Sequence, residues 1–132
     1  MLRLLLDEQI APVVAEGVRR LLPKRTILSM YEWEQGAYLG QPDETILSRA
    51  AETGWILITF DLRSIAPLLA AWREHGIDHA GVIFVPTNSI RSSDFGLLVR
   101  SIASFVQANK AIQKWGNSIH FLRPATDEHS IR

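Results

Sequence analysis

Hydrophobic and polar positions along this chain follow two rhythms in turn. Leu2 to Leu6 is a short apolar run of the kind a buried strand shows. Ile10, Val13, Val14, Gly17, Val18, Leu21 and Leu22 then recur at the i, i+3, i+4, i+7 spacing of a helix, with Pro12 in its first turn and Pro23 at its end. Thr26 to Tyr31 reads as a second strand, and the loop after it, "WEQGAYLGQP", holds two glycines and a proline that argue against regular structure. Pro42 and Asp43 open a helix with Ile46, Leu47, Ala50 and Ala51 on one face and Gly54 as its stop. Trp55 to Thr59 is the third strand. Ser64 offers a cap for a helix from Ile65 to about Glu74, with Pro67 in its first turn and Gly76 past its end. Ala80 to Val85 is apolar throughout, which predicts a strand covered on both faces and central in a sheet. Ser92 and Ser93 offer a cap for a helix burying Phe95, Leu98, Val99, Ile102 and Val106. Ser118 to Leu122 is the last strand, with His120 facing out beside Ile119 and Phe121.

Strands alternating with helices predict an α/β fold: three layers, α/β/α, around a mainly parallel sheet of about five strands joined by right-handed crossovers. A chain of 132 residues suits one domain, over residues 1–126, followed by a polar tail over 127–132. In such a sheet every parallel strand points its carboxyl end to the same edge, where ligands bind in open α/β folds. Asp7 directly follows the first strand and Asp61 follows the third by two residues, so both belong to that edge. Asp43, with Glu44 beside it, opens the helix feeding the third strand, a position that reads as the opposite edge unless the helix starts unusually high.

Composition narrows the chemistry. The hydrophobic fraction of 47% and mean hydropathy of +0.06 are those of a globular protein. No apolar run approaches the roughly 18 residues of a membrane span, and the N-terminus lacks the pattern of a secretory signal. The absence of cysteine excludes disulfides, zinc-thiolate sites and thiol nucleophiles, and suits a cytoplasmic protein. Fourteen basic residues balance fourteen acidic ones, so any polyanion must be held locally rather than by a net field. Clustered carboxylates repel one another and resist ionising unless a cation shares their site. Hard oxygen ligands suit Mg²⁺ or Mn²⁺, which also take phosphate oxygens and activate water for phosphodiester hydrolysis.

The segments "LLLDEQ", "PDETILSRAAETGWILITFD" and "GVIFVP" together resemble the short PIN-like nuclease domains of bacteria and archaea, which include toxins of toxin-antitoxin pairs. The first is similar to the family's strand-ending "LLDEN", the second to its "sDeeIl..A...g.ilvTrD", and the resemblance runs from Leu2 to about Pro86. It implies that Asp7, Asp43 and Asp61 bind Mg²⁺ or Mn²⁺ and cleave RNA, and that Asp43 reaches the metal site. It also admits a small antitoxin-like protein partner or a homodimer, and no membrane. Two positions depart from the pattern: Ser64 stands where the family often has a further acid, and Gln9 stands in place of Asn. An alternative keeps the PIN-like fold as a catalytically weakened protein-binding module.

Several residues have plainer readings. Asp43 also suits an N-cap, Glu44 the helix macrodipole, Glu8 a solvent-facing position, Asp61 a polar strand end, and Ser64 a cap. Arg63 beside Asp61 is placed to meet a phosphate, although exposure is the default for arginine. His75 and His79 are four apart, but Gly76 should break the helix between them. Trp55 and Trp72 fall on core-facing patterns, whereas Trp33, in the loop near the acidic edge, is the better candidate for a substrate or partner contact. A receiver-like phosphoacceptor domain is a third class, with Asp7 and Glu8 as the acid pair, Asp61 as acceptor and Thr87 after the fourth strand. Against it, Arg123 stands where receivers carry lysine, and only nine residues follow for a final helix.

Overall fold

A computed structural model describes residues 2–126, so the predicted tail over 127–132 lies outside the described residues. The chain forms β1 (Arg3–Leu6), α1 (Pro12–Leu21), β2 (Thr26–Ser29), a 3₁₀ turn (Trp33–Gly36), α2 (Asp43–Thr53), β3 (Ile56–Thr59), α3 (Leu62–Glu74), β4 (Val82–Phe84), α4 (Phe95–Ala108) and β5 (Ile119–Phe121). The strands form one fully parallel sheet in the order β2, β1, β3, β4, β5. The fold is the expected α/β/α sandwich. Its middle strand is β3, and β4 is interior between β3 and β5 and buried throughout, as its unbroken apolar run predicts. Among the described residues no helix is long and apolar enough to cross a membrane.

Strand alternation divides the core in two. Leu4, Leu6, Ile27, Ile56, Ile58 and Ile83 face α1 and α4, where they meet Val14, Val18, Leu98, Ile102 and Val106. Leu5, Leu57, Val82 and Phe84 face α2 and α3, where they meet Ile46, Leu47, Ile65, Leu69 and Trp72. Each fully buried Leu or Ile contributes about 1.5–3 kcal/mol. The sheet therefore anchors both helical layers at once.

The crossovers do not all share one hand. The steps from β2 to β3 and from β3 to β4 run across the sheet in one direction with their helices on one face, and β1 to β2 runs the other way with α1 on the other. The step from β4 to β5 keeps the first direction but places α4 beside α1, so its hand is opposite to the other three. On that face α4 packs beside α1 over the apolar side chains of Leu4, Ile58 and Ile83, an exception to the right-handed rule. One consequence is that β5 is bare on the α3 side, where Ile119 and Phe121 are exposed. His120 turns the other way, against Phe105 and Trp115, which inverts its expected orientation.

Two helix starts also differ from expectation. α3 begins at Leu62 with Asp61 as its N-cap, so Ser64 is not the cap but the donor of the N–H that Asp61 accepts at 3.1 Å. Pro67 then falls in the second turn, where its missing N–H removes the helical bond to the carbonyl of Arg63, an exposed residue. In α4 the cap is Asp94, accepting from the Leu97 N–H, rather than Ser92 or Ser93, and Phe95 is exposed rather than buried. A carboxylate outcompetes a hydroxyl in both places because it sits at the N-cap itself.

Gly81 leads into β4 with φ of +121°, and a β-carbon there would lie 2.8 Å from the Trp115 carbonyl oxygen. Gly81→Ala should lower stability by about 1–3 kcal/mol, read as a drop in the urea midpoint at unchanged slope; an unchanged midpoint would contradict this packing.

Candidate metal-binding edge

The order β2, β1, β3 reverses direction at the β1/β3 boundary, the topological switch point where α/β sheets open a crevice at their carboxyl edge. Asp7 and Asp61 lie on either side of it. The Asp7 N–H still donates to the Ile58 carbonyl at 3.0 Å, extending the ladder by one step, so its side chain falls on the same face as Leu5. Thr59 shares that face from β3. Its hydroxyl donates to Oδ2 of Asp7 at 2.6 Å and accepts the Asp61 N–H at 3.0 Å. One fully buried hydroxyl thus links two acids 54 positions apart, Asp7 and Asp61. Oδ1 of Asp7 accepts the Glu8 N–H at 2.8 Å, which fixes the carboxylate at both oxygens.

Asp43 reaches this edge by ordinary chain geometry. The opposite-edge placement is corrected by direction: a helix connecting two parallel strands leaves from the carboxyl edge, so its first turn lies there and its last turn at the other edge. Asp43 is the first residue of α2, and the N-cap position belongs to Pro42, which makes no side-chain cap bond. The expected capping role is therefore not the one observed. Glu44 is exposed in the same turn, as its macrodipole role predicts.

The loop ahead of α2 is held from below and from the site. Trp33 is buried at 1% exposure against Tyr38, so it is a core anchor and not a surface contact. Its indole N–H finds no hydrogen-bond partner among the described residues, a cost of about 1–3 kcal/mol set against about 5 kcal/mol from the ring's burial. Glu34 and Gln35 adopt left-handed φ values of 50° and 59°, and Glu34 is tied to Arg49 at 3.0 Å. Glu8 does not simply face solvent: its Oε1 accepts the Gly40 N–H at 2.9 Å, pinning the loop three residues before Asp43.

Electrostatics joins the acids into one neighbourhood. Burial pushes the Asp7 carboxyl above its ordinary value; the Thr59 hydroxyl and the Glu8 N–H oppose this, and the charges of Glu8 and Asp61 add to it. Asp43 is also pushed up, first by burial and then by Asp61, Asp7 and Glu8, so every charge acting on it is negative. The donors are all hard oxygens, which fits Mg²⁺ or Mn²⁺. They are not a closed cage: among the described residues no three acids or histidines form a group that could hold a metal ion. That suits an ion bound through one or two carboxylates and otherwise by water and phosphate oxygens.

A model of the PIN-like domain family matches residues 2–84, more than half of the 132 residues. The chain belongs to that family. No curated protein and no solved structure matches it. The match contains Asp7, Asp43, Thr59 and Asp61, and ends with the last residue of β4. Within this PIN-like domain Arg63 and Ser64 are exposed in the first turn of α3, and Ser64 contributes its backbone N–H to Asp61. His75 and His79 are separated by Gly76 at φ +66°; His75 bonds the Ala71 carbonyl and His79 accepts the Gly81 N–H, so they form no pair. Thr59 is the site residue whose role the sequence left unread. Its signal was a hydroxyl closing an apolar strand, since a buried hydroxyl must find a partner.

Because the native Asp7 carboxyl holds its proton more tightly than the unfolded one, its contribution to stability is full below the ordinary aspartate range and is lost as pH rises through the native value. In EDTA, Asp7→Asn should therefore be more stable than wild type at neutral pH by about 1 kcal/mol, with the gap closing as pH falls through the carboxylate range. Denaturant titrations across pH check this; a gap that widens on acidification would contradict it. Thr59→Val leaves the Asp61 N–H unpaired and should cost about 1–3 kcal/mol in the same assay.

Proposed function

We propose that this PIN-like domain is a metal-dependent nuclease that hydrolyses phosphodiester bonds in RNA. What supports the reading is that Asp7, Asp43 and Asp61 all lie toward the carboxyl edge of the sheet, where Asp61, Asp7 and Glu8 push the Asp43 carboxyl up. Such a group is costly alone and becomes favourable with a divalent cation. Family membership supports a nuclease-type activity.

Two of Asp7, Asp43 and Asp61 would hold Mg²⁺ or Mn²⁺, with water and phosphate oxygens completing its shell. The bound ion supplies Lewis acidity that activates water and neutralises charge on the leaving oxygen. The chain's own residues do the positioning: Thr59 fixes Asp7, Asp61 is oriented by the Ser64 N–H, and Glu8 holds the loop carrying Asp43. Arg63, exposed beside Asp61, offers a cation for a substrate phosphate. A small antitoxin-like protein is the partner this reading implies. Ser64, in place of a further acid, favours as second reading a weakened domain that binds a protein through the same fold.

Asn caps a helix as well as Asp does, so Asp61→Asn preserves α3 while removing a ligand charge. With Mn²⁺ and single-stranded RNA, the variant should cleave about 100-fold more slowly than wild type, a loss of about 2.7 kcal/mol of transition-state stabilisation. Mn²⁺ should raise the wild-type melting temperature more than the variant's. Equal cleavage rates, or no metal binding by wild type, would sink the nuclease reading.

A further inference from the structure

A second feature opens over the same sheet edge, on the side away from Asp43. A cleft of about 570 Å³ is lined by Gln9, Phe60, Thr87, Arg91, Ser92 and Ser93. Gln9 lies two residues beyond Asp7, and Phe60 sits between Thr59 and Asp61. Strand alternation turns Thr59 toward Asp7 and Phe60 to the opposite face, where it packs against the core beneath α1 and α4. The cleft and the acids are therefore back to back across one rim of the sheet.

Its chemistry contrasts with that rim. The lining has one cation, one aromatic ring, one amide and three hydroxyls, and no acid. Arg91 is exposed and makes no ion pair among the described residues. Ser92 and Ser93 are free of the capping role that Asp94 has taken, and both are exposed. A polyanion approaching four carboxylates needs a compensating cation nearby, and a base leaving the solvent needs a flat apolar surface with adaptable polar groups around it. A volume of this size falls within the range of small-ligand pockets.

We propose that this cleft is a nucleotide subsite, taking the residue of a single-stranded substrate next to the one at the acids. Phe60 offers a face for the base, Arg91 a charge for its phosphate, and Gln9, Thr87 and the two serines hydrogen bonds to base and ribose. The strand would cross the rim between β1 and β3 from one helical layer to the other. The assignment rests on the nuclease reading for its place in a reaction, but binding is testable without catalysis.

The test is a titration of the full chain with each of the four nucleoside 5′-monophosphates, and separately with inorganic phosphate, followed by amide NMR shifts in EDTA. Nucleotides should move the amides of Gln9, Phe60, Thr87 and Arg91 together. Arg91→Ala should weaken binding about tenfold, equivalent to about 1.4 kcal/mol, and Phe60→Leu should reduce it while leaving the fold's amide pattern intact. Inorganic phosphate binding as tightly as nucleotides, or shifts confined to other surfaces, would overturn the subsite. RNA cleavage by wild type without nucleotide binding here would overturn the subsite alone. Nucleotide binding here in a chain that cleaves no RNA would support the subsite and sink the nuclease reading.

Discussion

A buried hydroxyl holds the carboxyl edge of this protein together. Thr59 donates to Asp7 at 2.6 Å and accepts from the Asp61 N–H at 3.0 Å, so one side chain on β3 fixes the end of β1 and the start of α3. Without that donor, Asp7 would be a carboxylate buried among apolar neighbours and pushed further from its charged form. The core around it makes the contact rigid: Leu6, Ile58 and Phe84 are almost completely buried on neighbouring strands, and close packing leaves the strand ends little freedom to part.

The third acid arrives by a longer route that carries local strain. Between β2 and α2 the chain passes through two left-handed non-glycine residues, Glu34 and Gln35, each costing of order 1 kcal/mol. Burial of Trp33 and the Glu34 pairing with Arg49 offset that cost. The Glu8 carboxylate then closes the loop from the site side through Gly40. Asp43 therefore depends on contacts made by residues that are not themselves acids of the edge, apart from Glu8.

Much of this arrangement was legible in the residues. The apolar runs and the 3.6-residue spacing place the nine helices and strands of the described residues within a few residues of where they lie. Asp7 and Asp61 were assigned to the correct edge by strand polarity alone. What escaped the pattern was tertiary competition. Asp61 and Asp94 took caps that nearby serines also offered, and Trp33 was drawn into the core from a loop rich in glycine. The unusual hand of the last crossover has no local signature, since α4 would look equally amphipathic on either face. Strand polarity alone reads Asp43 at the opposite edge, because it treats α2 as the approach to β3 rather than the departure from β2; the family resemblance is what brings it to the site.

The functional reading turns on whether these separated acids act as one ion site. The described residues contain no ready-made three-ligand group, so the reading requires an ion that brings water and phosphate oxygens as its remaining ligands. The most direct measurement is anomalous diffraction from crystals grown with Mn²⁺. The account predicts one strong peak at the β1/β3 rim, with oxygens of at least two of Asp7, Asp43 and Asp61 at about 2.1–2.2 Å. A peak elsewhere on the surface, or none at saturating Mn²⁺, would contradict it.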